Sequence, residues 1–503
     1  MTSVIRQDGD TYPVENPYRL CKQPSYSVLS YTWGRYEKRP RKPEHRRLKV
    51  NGVNWEIPPV DEAHFTVEDF QKIIEVLGRK HDFAWIDIAC IHQEGPLLKL
   101  QEIGQQGKIF QQAETAFIWL CRTSTASLSC YSNSIQSMSD LFLDDIEEDF
   151  FKGADKRIPE SIINIQDQES RLGHVLEDAL AAITKLTQDS YFTSLWTLQE
   201  SLYHQSAYVI SSSGGLTVPH PLGFGNLEAA CPMRDSPIIK KQVQAIMALM
   251  DKAGYDPSAF QTYSPHRSRI SVRHRIATLE QDRVFAIMSV YGIQTRTSQD
   301  SSFKNPYLYS LAELEYAFTA IMNKISPALG QLFTHTVAPR KGQTWKITVD
   351  SKIVNDFQIW TIDWRKWTAH CTIHATEEGH AVFTGQTSSL SELQVIAKDL
   401  EFHILIDEYL IDEHTELAKV VSQSADSSLE LSNSRLVTGI NCTFGEGNIA
   451  LLKLATMGAS SERSLYFVIL HKIQNGDKYE RIGICHVWPQ LDVEWREIEG
   501  ELH

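Results

Sequence analysis

The sequence predicts an α/β fold in which a parallel sheet flanked by helices is followed by a helical region and a mainly antiparallel β domain. Strand-like and helix-like patterns alternate across residues 24–121, and helical periodicity dominates from about 166 to 335. Short β-rich runs then dominate from about 343 to the end. Alternating strands and helices form parallel sheets, because parallel strands need a crossover connection. The predicted divisions are an N-terminal extension (1–23), an α/β domain (24–210) with an insertion near 122–165, a helical region (211–340) and a β-rich domain (341–503).

Composition restricts the function classes. The 503 residues carry a formal net charge of -14, which argues against broad binding of nucleic acid or anionic membrane. We find no apolar stretch long enough to span a bilayer, and the N-terminus does not resemble a signal peptide. The 8 cysteines form no CxxC pair, so we expect free thiols, no structural metal and a cytoplasmic location.

The first elements follow from local patterns. The apolar run at 25–33 predicts a strand that stops at Gly34, and Asn51-Gly52 predicts a hairpin turn. Thr66 and Asp69 form a capping box before apolar residues at helical spacing, which predicts a helix ending near Gly78.

The next elements complete the predicted parallel sheet. Residues 82–91 read as a buried strand, about 98–113 as a helix and 115–121 as another strand. Functional groups in such sheets gather at the carboxyl ends of the strands, which here carry Tyr31 to Gly34 and Asp87 to Gln93.

The insertion is Ser-rich and then acidic at 144–150, which predicts a solvated, mobile loop with one short helix at most. Further helices are predicted at 168–187, 194–204, 236–253, 268–290 and 306–326, with a strand at 206–211. Strands of the β-rich domain are predicted at 345–349, 357–364, 370–375, 380–385, 435–440, 450–455, 465–473 and 481–488, with a hairpin turn at Asn475-Gly476.

Trp196 and Glu200 lie four residues apart, so one helical face would present an indole and a carboxylate, with Gln199 beside them. A carboxylate near aromatic rings suits a reaction through an oxocarbenium-like state. On spacing alone, however, the pattern favours a core Trp196 and a paired or solvated Glu200.

Other polar residues have two interpretations each. Asp87 within an apolar run is either functional or caps a turn, and His92 is either functional or structural. Cys90 is better explained as a small buried apolar residue than as a nucleophile. The basic run 35–49 could hold a phosphate-bearing ligand or an acidic partner, although its prolines and glutamates favour a solvated loop.

The order of five blocks resembles the HET (heterokaryon incompatibility) domain of filamentous fungi over about residues 24–210. The blocks are LSYTWG (29–34), VNG (50–52), WIDIACIHQ (85–93), IFQQAETAFIWL (109–120) and LWTLQE (195–200). The chain departs from the family pattern at His92, where Asn is usual, at Gln106, where Met is expected, and at Cys121, where Gly is usual.

HET domains are regarded as distant relatives of TIR domains, so the resemblance implies a TIR-like, flavodoxin-like sheet. The glutamate of the corresponding TIR helix is catalytic in TIR domains that cleave NAD, which makes Glu200 the candidate catalytic carboxylate of an NAD+ glycohydrolase. NAD+ or a related nucleotide would then be the substrate, with no metal and no further cofactor. The residues expected to contact it are Ser30, Tyr31, Trp33, Gly34, Asp87, His92, Gln93 and Trp196.

Two alternatives remain at this level. The domain could be a non-catalytic signalling module that self-associates or binds a protein partner in non-self recognition, as TIR-type domains also signal by assembly. Alternatively, the scaffold could serve as an enzyme of a biosynthetic pathway. Programmed cell death after non-self recognition is what the family name implies.

Overall fold

The computed structural model divides the chain into two compact units. Unit 1 comprises residues 1–261 and 270–308, and unit 2 comprises 262–269 and 309–503. The residues that the structure describes are 4–5, 11–12, 24–32, 42–50, 53, 55–91, 96–152, 165–204, 207–217, 237–253, 275–277, 279–288, 309–353, 367–392, 401–424, 429–457, 464–473, 476–488 and 495–503.

Unit 1 is built on a mixed sheet with a parallel centre. Its described strands are β1 Val4–Ile5, β2 Thr11–Tyr12, β3 Ser27–Ser30, β4 Ala84–Trp85, β5 Thr115–Trp119, β6 Tyr208–Ile210 and β7 Leu216–Thr217. They lie in the order β2-β1-β4-β3-β5-β6-β7. The four central strands, β4, β3, β5 and β6, are parallel, while β1, β2 and β7 pair antiparallel at the two sides.

The order of the central strands reverses at β3. The chain passes from β3 to β4 on one side and then crosses back to β5 on the other. The strand order therefore reverses between β3 and β5, the topological position at which open α/β sheets bind ligands. The described helices of unit 1 are α1 Val67–Gly78, α2 Asp87–Cys90, α3 Pro96–Gln112, α4 Thr125–Lys152, α5 Ile165–Leu186, α6 Trp196–Tyr203, α7 Pro237–Ala253 and α8 Asp282–Met288.

Helix α1 confirms the predicted capping box. The Thr66 hydroxyl accepts from the Asp69 N–H at 3.1 Å, and the Asp69 carboxylate accepts from the Thr66 N–H, also at 3.1 Å. These bonds satisfy amide groups that the start of a helix otherwise leaves unpaired. The helix ends at Gly78, as predicted. Asn51 and Gly52 lie outside the described residues, and the residues at 48–50 and 55–59 form no strand.

The predicted strand at 82–91 is wrong beyond its first residues. Strand β4 covers only Ala84–Trp85, and α2 begins two residues later at Asp87. The Asp87 carboxylate accepts from the Ile88 N–H at 2.6 Å, which favours this turn of helix. A short buried apolar run cannot distinguish strand from helix by periodicity.

The predicted loop in the insertion is also wrong, because α4 runs for 28 residues from Thr125 to Lys152. Leu128, Ile135 and Met138 are buried in the core of unit 1. Their spacing of seven and three residues follows one helical face, which the many serines obscure in the sequence. Helix α8 likewise begins only at Asp282, whereas Ile276 forms a parallel bridge with Ser194.

Unit 2 contains an antiparallel-rich sheet, as predicted, and its sheet curls back on itself. Among the described strands, β12 pairs with both β17 and β14, so the path from β14 through β15, β16 and β17 returns to its start. The described strands are β8 Phe333–His335, β9 Ser351–Ile353, β10 Thr368–Ala369, β11 Cys371–Ala375, β12 Ala381–Ser389, β13 Glu401–Ile406, β14 Ile449–Met457, β15 Ser464–Lys472, β16 Lys478–Trp488 and β17 Arg496–Leu502. The described helices are α9 Leu311–Ile325, α10 Pro327–Gln331, α11 Glu408–Glu413, α12 Thr415–Ser424 and α13 Leu429–Phe444.

Three predictions for unit 2 need correction. Residues 435–440 belong to α13 and not to a strand, because Val437 and Ile440 face the core at helical spacing. Residues 345–349 form no strand, and β13 and β17 were not predicted. The predicted hairpin between β15 and β16 is confirmed by their antiparallel pairing, with Gly476 at φ 104°. The run 357–364 lies outside the described residues.

A buried ion pair lies in the core of unit 2. Arg481 Nη1 is 2.8 Å from both carboxylate oxygens of Asp407, and both side chains are fully buried. The His335 N–H also donates to Asp407 Oδ1, at 2.9 Å. Arg481 packs 4.0 Å from the centroid of the Phe333 ring and donates to the Phe333 carbonyl.

Over the residues that the structure describes, no helix is both long and apolar enough to cross a membrane.

Candidate functional site

The candidate site lies at the carboxyl end of β3, where the strand order reverses. Ser30 is the last residue of β3, and Tyr31 follows it directly. Because side chains alternate along a strand, the two residues point to opposite faces of the sheet. Each contacts a carboxylate, so two polar groups lie at one strand end.

On the first face, Ser30 and Gln106 bind Glu200. The Ser30 hydroxyl donates to Glu200 Oε2, and the Gln106 amide on α3 donates to Glu200 Oε1 at 2.7 Å. Glu200 lies on α6 and is only 6% exposed. Both oxygens of a buried carboxyl group therefore have a neutral donor, and its orientation is fixed.

Burial raises the pKa of Glu200 well above its usual value, and the negative charge of Asp87 acts in the same direction. The hydrogen bonds from Ser30 and Gln106, together with the charge of Arg275, lower this pKa in part. Removing a carboxylate from water penalises its ionised form, and neutral donors compensate only partly. A raised carboxyl pKa of this kind is common at functional sites, although structural networks produce it as well.

Tyr191 extends the Glu200 network. Its hydroxyl lies 2.9 Å from Ser30 Oγ, a contact in which either oxygen can donate, and 3.5 Å from the Thr197 carbonyl, to which it can donate. A single 3₁₀ turn, Ser190–Thr193, carries Tyr191, and the Asp189 carboxylate caps it by accepting from the Tyr191 N–H at 3.1 Å. The result is a buried chain from Tyr191 through Ser30 to Glu200.

Arg275 supports the same network by binding groups at and before the start of α6. Its guanidinium donates to the carbonyls of Tyr191 and Ser194, at 3.2 and 2.8 Å, and to the Thr197 hydroxyl at 2.9 Å. The side chain is 1% exposed, and its positive charge lowers the pKa of Glu200. Arg275 thus holds the start of α6 and acts on Glu200 through space.

On the opposite face, Tyr31 donates to Asp87 Oδ1 at 2.6 Å. Burial raises the pKa of the Tyr31 hydroxyl well above its usual value, and the charge of Asp87 adds to this effect. The Tyr31 ring lies 5.3 Å from Phe70 and 6.1 Å from Trp119, and Phe65 packs 4.7 Å from Trp119. Tyr31 is therefore embedded in an aromatic cluster and anchored by its hydroxyl.

The segment that carries this geometry also matches a known family. The matching family model is described as heterokaryon incompatibility protein (HET) and covers residues 26–200. This segment is a HET domain. The match indicates a function of the heterokaryon incompatibility type, and it includes Ser30, Gln106 and Glu200. No curated protein and no solved structure matches the chain.

The structure brings some of the predicted site residues of the HET domain together. Ser30 and Glu200 are in contact, as are Tyr31 and Asp87. Trp196, the first residue of α6, is half-buried and lies one helical turn before Glu200. The predicted residues outside the described part of the chain are Trp33, Gly34, His92 and Gln93, together with the side chain of Gln199.

Cys90 is buried in the HET domain, and burial raises the pKa of its thiol to about 12. This confirms the prediction of an apolar role, because the thiolate is the reactive form. Within the described residues, no group of three His, Cys, Asp or Glu side chains could hold a metal ion.

Three contributors to the site are not predicted from the sequence. Gln106 stands out in the sequence only as a departure from the family pattern, and nothing in the sequence singles out Tyr191 or Arg275. Gln106 lies 94 residues from Glu200 in the chain, and Tyr191 lies 161 residues from Ser30. The one available signal was Gln106, a polar residue at a position where the family expects an apolar one.

Proposed function

We propose that the HET domain hydrolyses the bond between nicotinamide and ribose in NAD+, with Glu200 as the catalytic carboxylate. The observation that carries this proposal is a buried Glu200 held by Ser30 and Gln106 where the strand order reverses. The central strands lie in the order second, first, third, fourth along the chain, as in flavodoxin-like sheets. This order supports a TIR-like fold and a ligand crevice at the ends of β3 and β5.

The proposed reaction needs a negative charge beside the ribose. The bond between ribose C1′ and the pyridinium nitrogen breaks, and its electron pair goes to that nitrogen, so neutral nicotinamide leaves. The remaining positive charge spreads over C1′ and the ring oxygen, where a fixed carboxylate stabilises it. Water then forms a bond to C1′ and loses a proton, which gives ADP-ribose.

The network around Glu200 suits this role because its donors are neutral. Ser30 and Gln106 fix the orientation of the carboxyl group without cancelling its charge. The ionised form is the active one, so the raised pKa of Glu200 places the acid limb of the reaction above the usual range for a carboxylate. We further propose that Trp33, Gly34, His92, Gln93 and Trp196 contact the substrate, while Tyr31 and Asp87 order the strand end.

A second candidate function is a non-catalytic module that self-associates or binds a protein partner. The burial of Glu200 favours it, since a carboxyl group that is 6% exposed with both oxygens bonded can serve to fix α6 against the sheet. In this case Glu200 would contribute to stability and specificity of the fold alone.

The test is nicotinamide release from NAD+ by the full chain at high protein concentration. We expect Glu200→Gln to lower the rate by about a hundredfold or more, because it removes a preorganised charge. Glu177→Gln, at an exposed position on α5, is the matched control and keeps the rate. Release that is equal in both variants would contradict the role of Glu200. No release from the unmodified chain, combined with concentration-dependent assembly in light scattering, would favour the interaction module.

A further inference from the structure

A cleft of about 650 Å³ lies in unit 1. Its position is fixed by Trp55, whose indole N–H donates to the Ile88 carbonyl at 3.3 Å, next to Asp87. Helix α1 forms another side through Val67 and Gln71. The remaining lining residues are Pro43, Glu44, His45, Arg46, Arg47, Leu48, Lys49, Val50, Val53 and Ile57.

The lining of the cleft includes three cationic side chains and a histidine. Lys49 is exposed, and none of the described carboxylates forms an ion pair with it. Arg47 pairs with Glu56 through Nη1, while its buried Nε–H has no acceptor among the described residues. His45 Nδ1 accepts from the Lys42 N–H at 3.3 Å, so the neutral ring carries its proton on Nε2.

Not every cation of the cleft is available to a ligand. Arg46 is occupied by Glu62 and Glu68, and it sits at an exposed rim where such pairs are weak. Lys49 and the His45 Nε2–H are the groups that a ligand can engage, while the Arg47 guanidinium, held by Glu56 and the Lys42 carbonyl, adds positive charge to the lining. They are suited to a compact oxyanion, whose several oxygens accept from several donors at once.

The other walls are apolar. Leu48, Ile57 and Val67 are buried, while Val50, Val53 and Trp55 are partly exposed and border the open space. A volume of about 650 Å³ is in the range of pockets that hold small organic ligands. A lining that contains cations together with an indole ring and aliphatic residues suits a molecule with an anionic end and a planar or apolar end.

We propose that this cleft binds a phosphorylated small molecule that carries a planar group, with a nucleoside diphosphate as the representative ligand. Lys49 and His45 bind the phosphate, the charge of Arg47 adds to the attraction, and Trp55 with Val50 and Val53 contacts the planar group. The whole chain is acidic, at -14, so the attraction is local to the cleft. The proposal does not depend on the reaction assigned to Glu200.

Calorimetric titration of the full chain with ADP tests the proposal, with pyrophosphate and adenosine as its two halves. ADP is expected to bind more tightly than either half and to weaken with added salt. Lys49→Gln lowers the affinity for ADP by about tenfold, the usual effect of one charge-assisted hydrogen bond. Lys72→Gln, at an exposed lysine of α1 outside the lining, leaves it unchanged.

A pair of substitutions at Gln71 gives a test with opposite signs at one exposed position. Gln71→Glu places a negative charge at the cleft and weakens ADP binding, whereas Gln71→Lys strengthens it. No measurable binding of ADP would overturn the proposal. An ADP affinity that is unchanged by Lys49→Gln and by the charge at position 71 would overturn it as well. A glutamate-rich peptide that binds more tightly than ADP would overturn it in favour of an acidic protein partner. Failure of NAD+ hydrolysis leaves these titrations interpretable, since ADP is not the substrate of that reaction.

Discussion

Glu200 in unit 1 and Asp407 in unit 2 are both buried carboxyl groups, and both are fully hydrogen-bonded. Asp407 has a direct counter-charge, because Arg481 Nη1 is 2.8 Å from each of its oxygens. Among the described residues, the donors to Glu200 are the neutral Ser30 and Gln106, and the buried guanidinium of Arg275 is directed at backbone carbonyls and Thr197.

This difference is the one that the proposed catalytic role of Glu200 requires. Placing an unpaired charge in a core is expensive, so a fold that only needs a polar anchor supplies the counter-charge, as it does for Asp407. The two direct donors to Glu200 supply no counter-charge, so the free-energy cost of burying its ionised form remains. The raised pKa of Glu200 reflects this cost. A negative charge held by neutral donors is available to a positive ligand or transition state.

The largest expected effect concerns the buried ion pair between Arg481 and Asp407. Arg481→Met leaves Asp407 buried without its counter-charge, and we expect it to lower the free energy of unfolding by about 3–5 kcal/mol. Urea denaturation measures this loss. The double variant Arg481→Met, Asp407→Asn removes the orphaned charge and keeps an acceptor for the His335 N–H, so it should recover part of the stability. A loss below about 1 kcal/mol in the single variant would show that the pair is not structural.

Glu200→Gln, in contrast, is expected to increase the stability of the folded chain at high pH. The folded-state pKa of Glu200 is raised above its unfolded value, so the folded state holds the proton more tightly and loses stability as pH rises through that interval. The glutamine side chain of the variant has no proton to lose in this range. We therefore expect the variant to have a Tm a few degrees higher than the unmodified chain at pH 8, with a smaller difference near pH 4.

Thermal unfolding of Glu200→Gln at several pH values, with Glu177→Gln as the exposed control, measures this effect. A lower Tm at pH 8 would indicate that the ionised Glu200 is held as firmly as Asp407.

The smallest expected effect concerns Gln106, one of the two neutral donors to Glu200. The hydrogen bond from Gln106 lowers the pKa of Glu200, so Gln106→Met, which restores the residue expected for the family, should raise it further. The acid limb of NAD+ cleavage would then move to higher pH. Gln105→Met, at an exposed position of α3, is the control. An unchanged pH profile with a reduced rate would assign Gln106 a packing role instead.

Local signals were reliable where one residue type has one physical meaning. Thr66, Asp69 and Gly78 defined α1, because a capping box and a terminal glycine act within a few residues. Apolar runs were less reliable. Residues 82–91 and 435–440 read as strands, yet Asp87 begins a helix in the first, and Val437 and Ile440 lie on a buried helical face in the second.

The candidate site was predictable only in part for a similar reason. The rule that strand ends carry function located Tyr31 and Asp87, which are in contact, and the resemblance supplied Glu200. The residues that tune Glu200 are defined by distance in the folded chain. Gln106 and Arg275 act on it from α3 and from beyond α7, and no local pattern records that proximity.

The alternation of Ser30 and Tyr31 has a consequence for how this strand can evolve. Strand β3 is 4 residues long, and its last position and the next one supply contacts to carboxylates on opposite faces of the sheet. Deleting or inserting one residue would turn both side chains to the other face of the sheet, with the phenol on the side of Glu200 and the hydroxymethyl group on the side of the aromatic cluster. Substitutions can be absorbed one face at a time, but a change in length disrupts both faces together. The number of residues in the strand is therefore constrained as well as their identity.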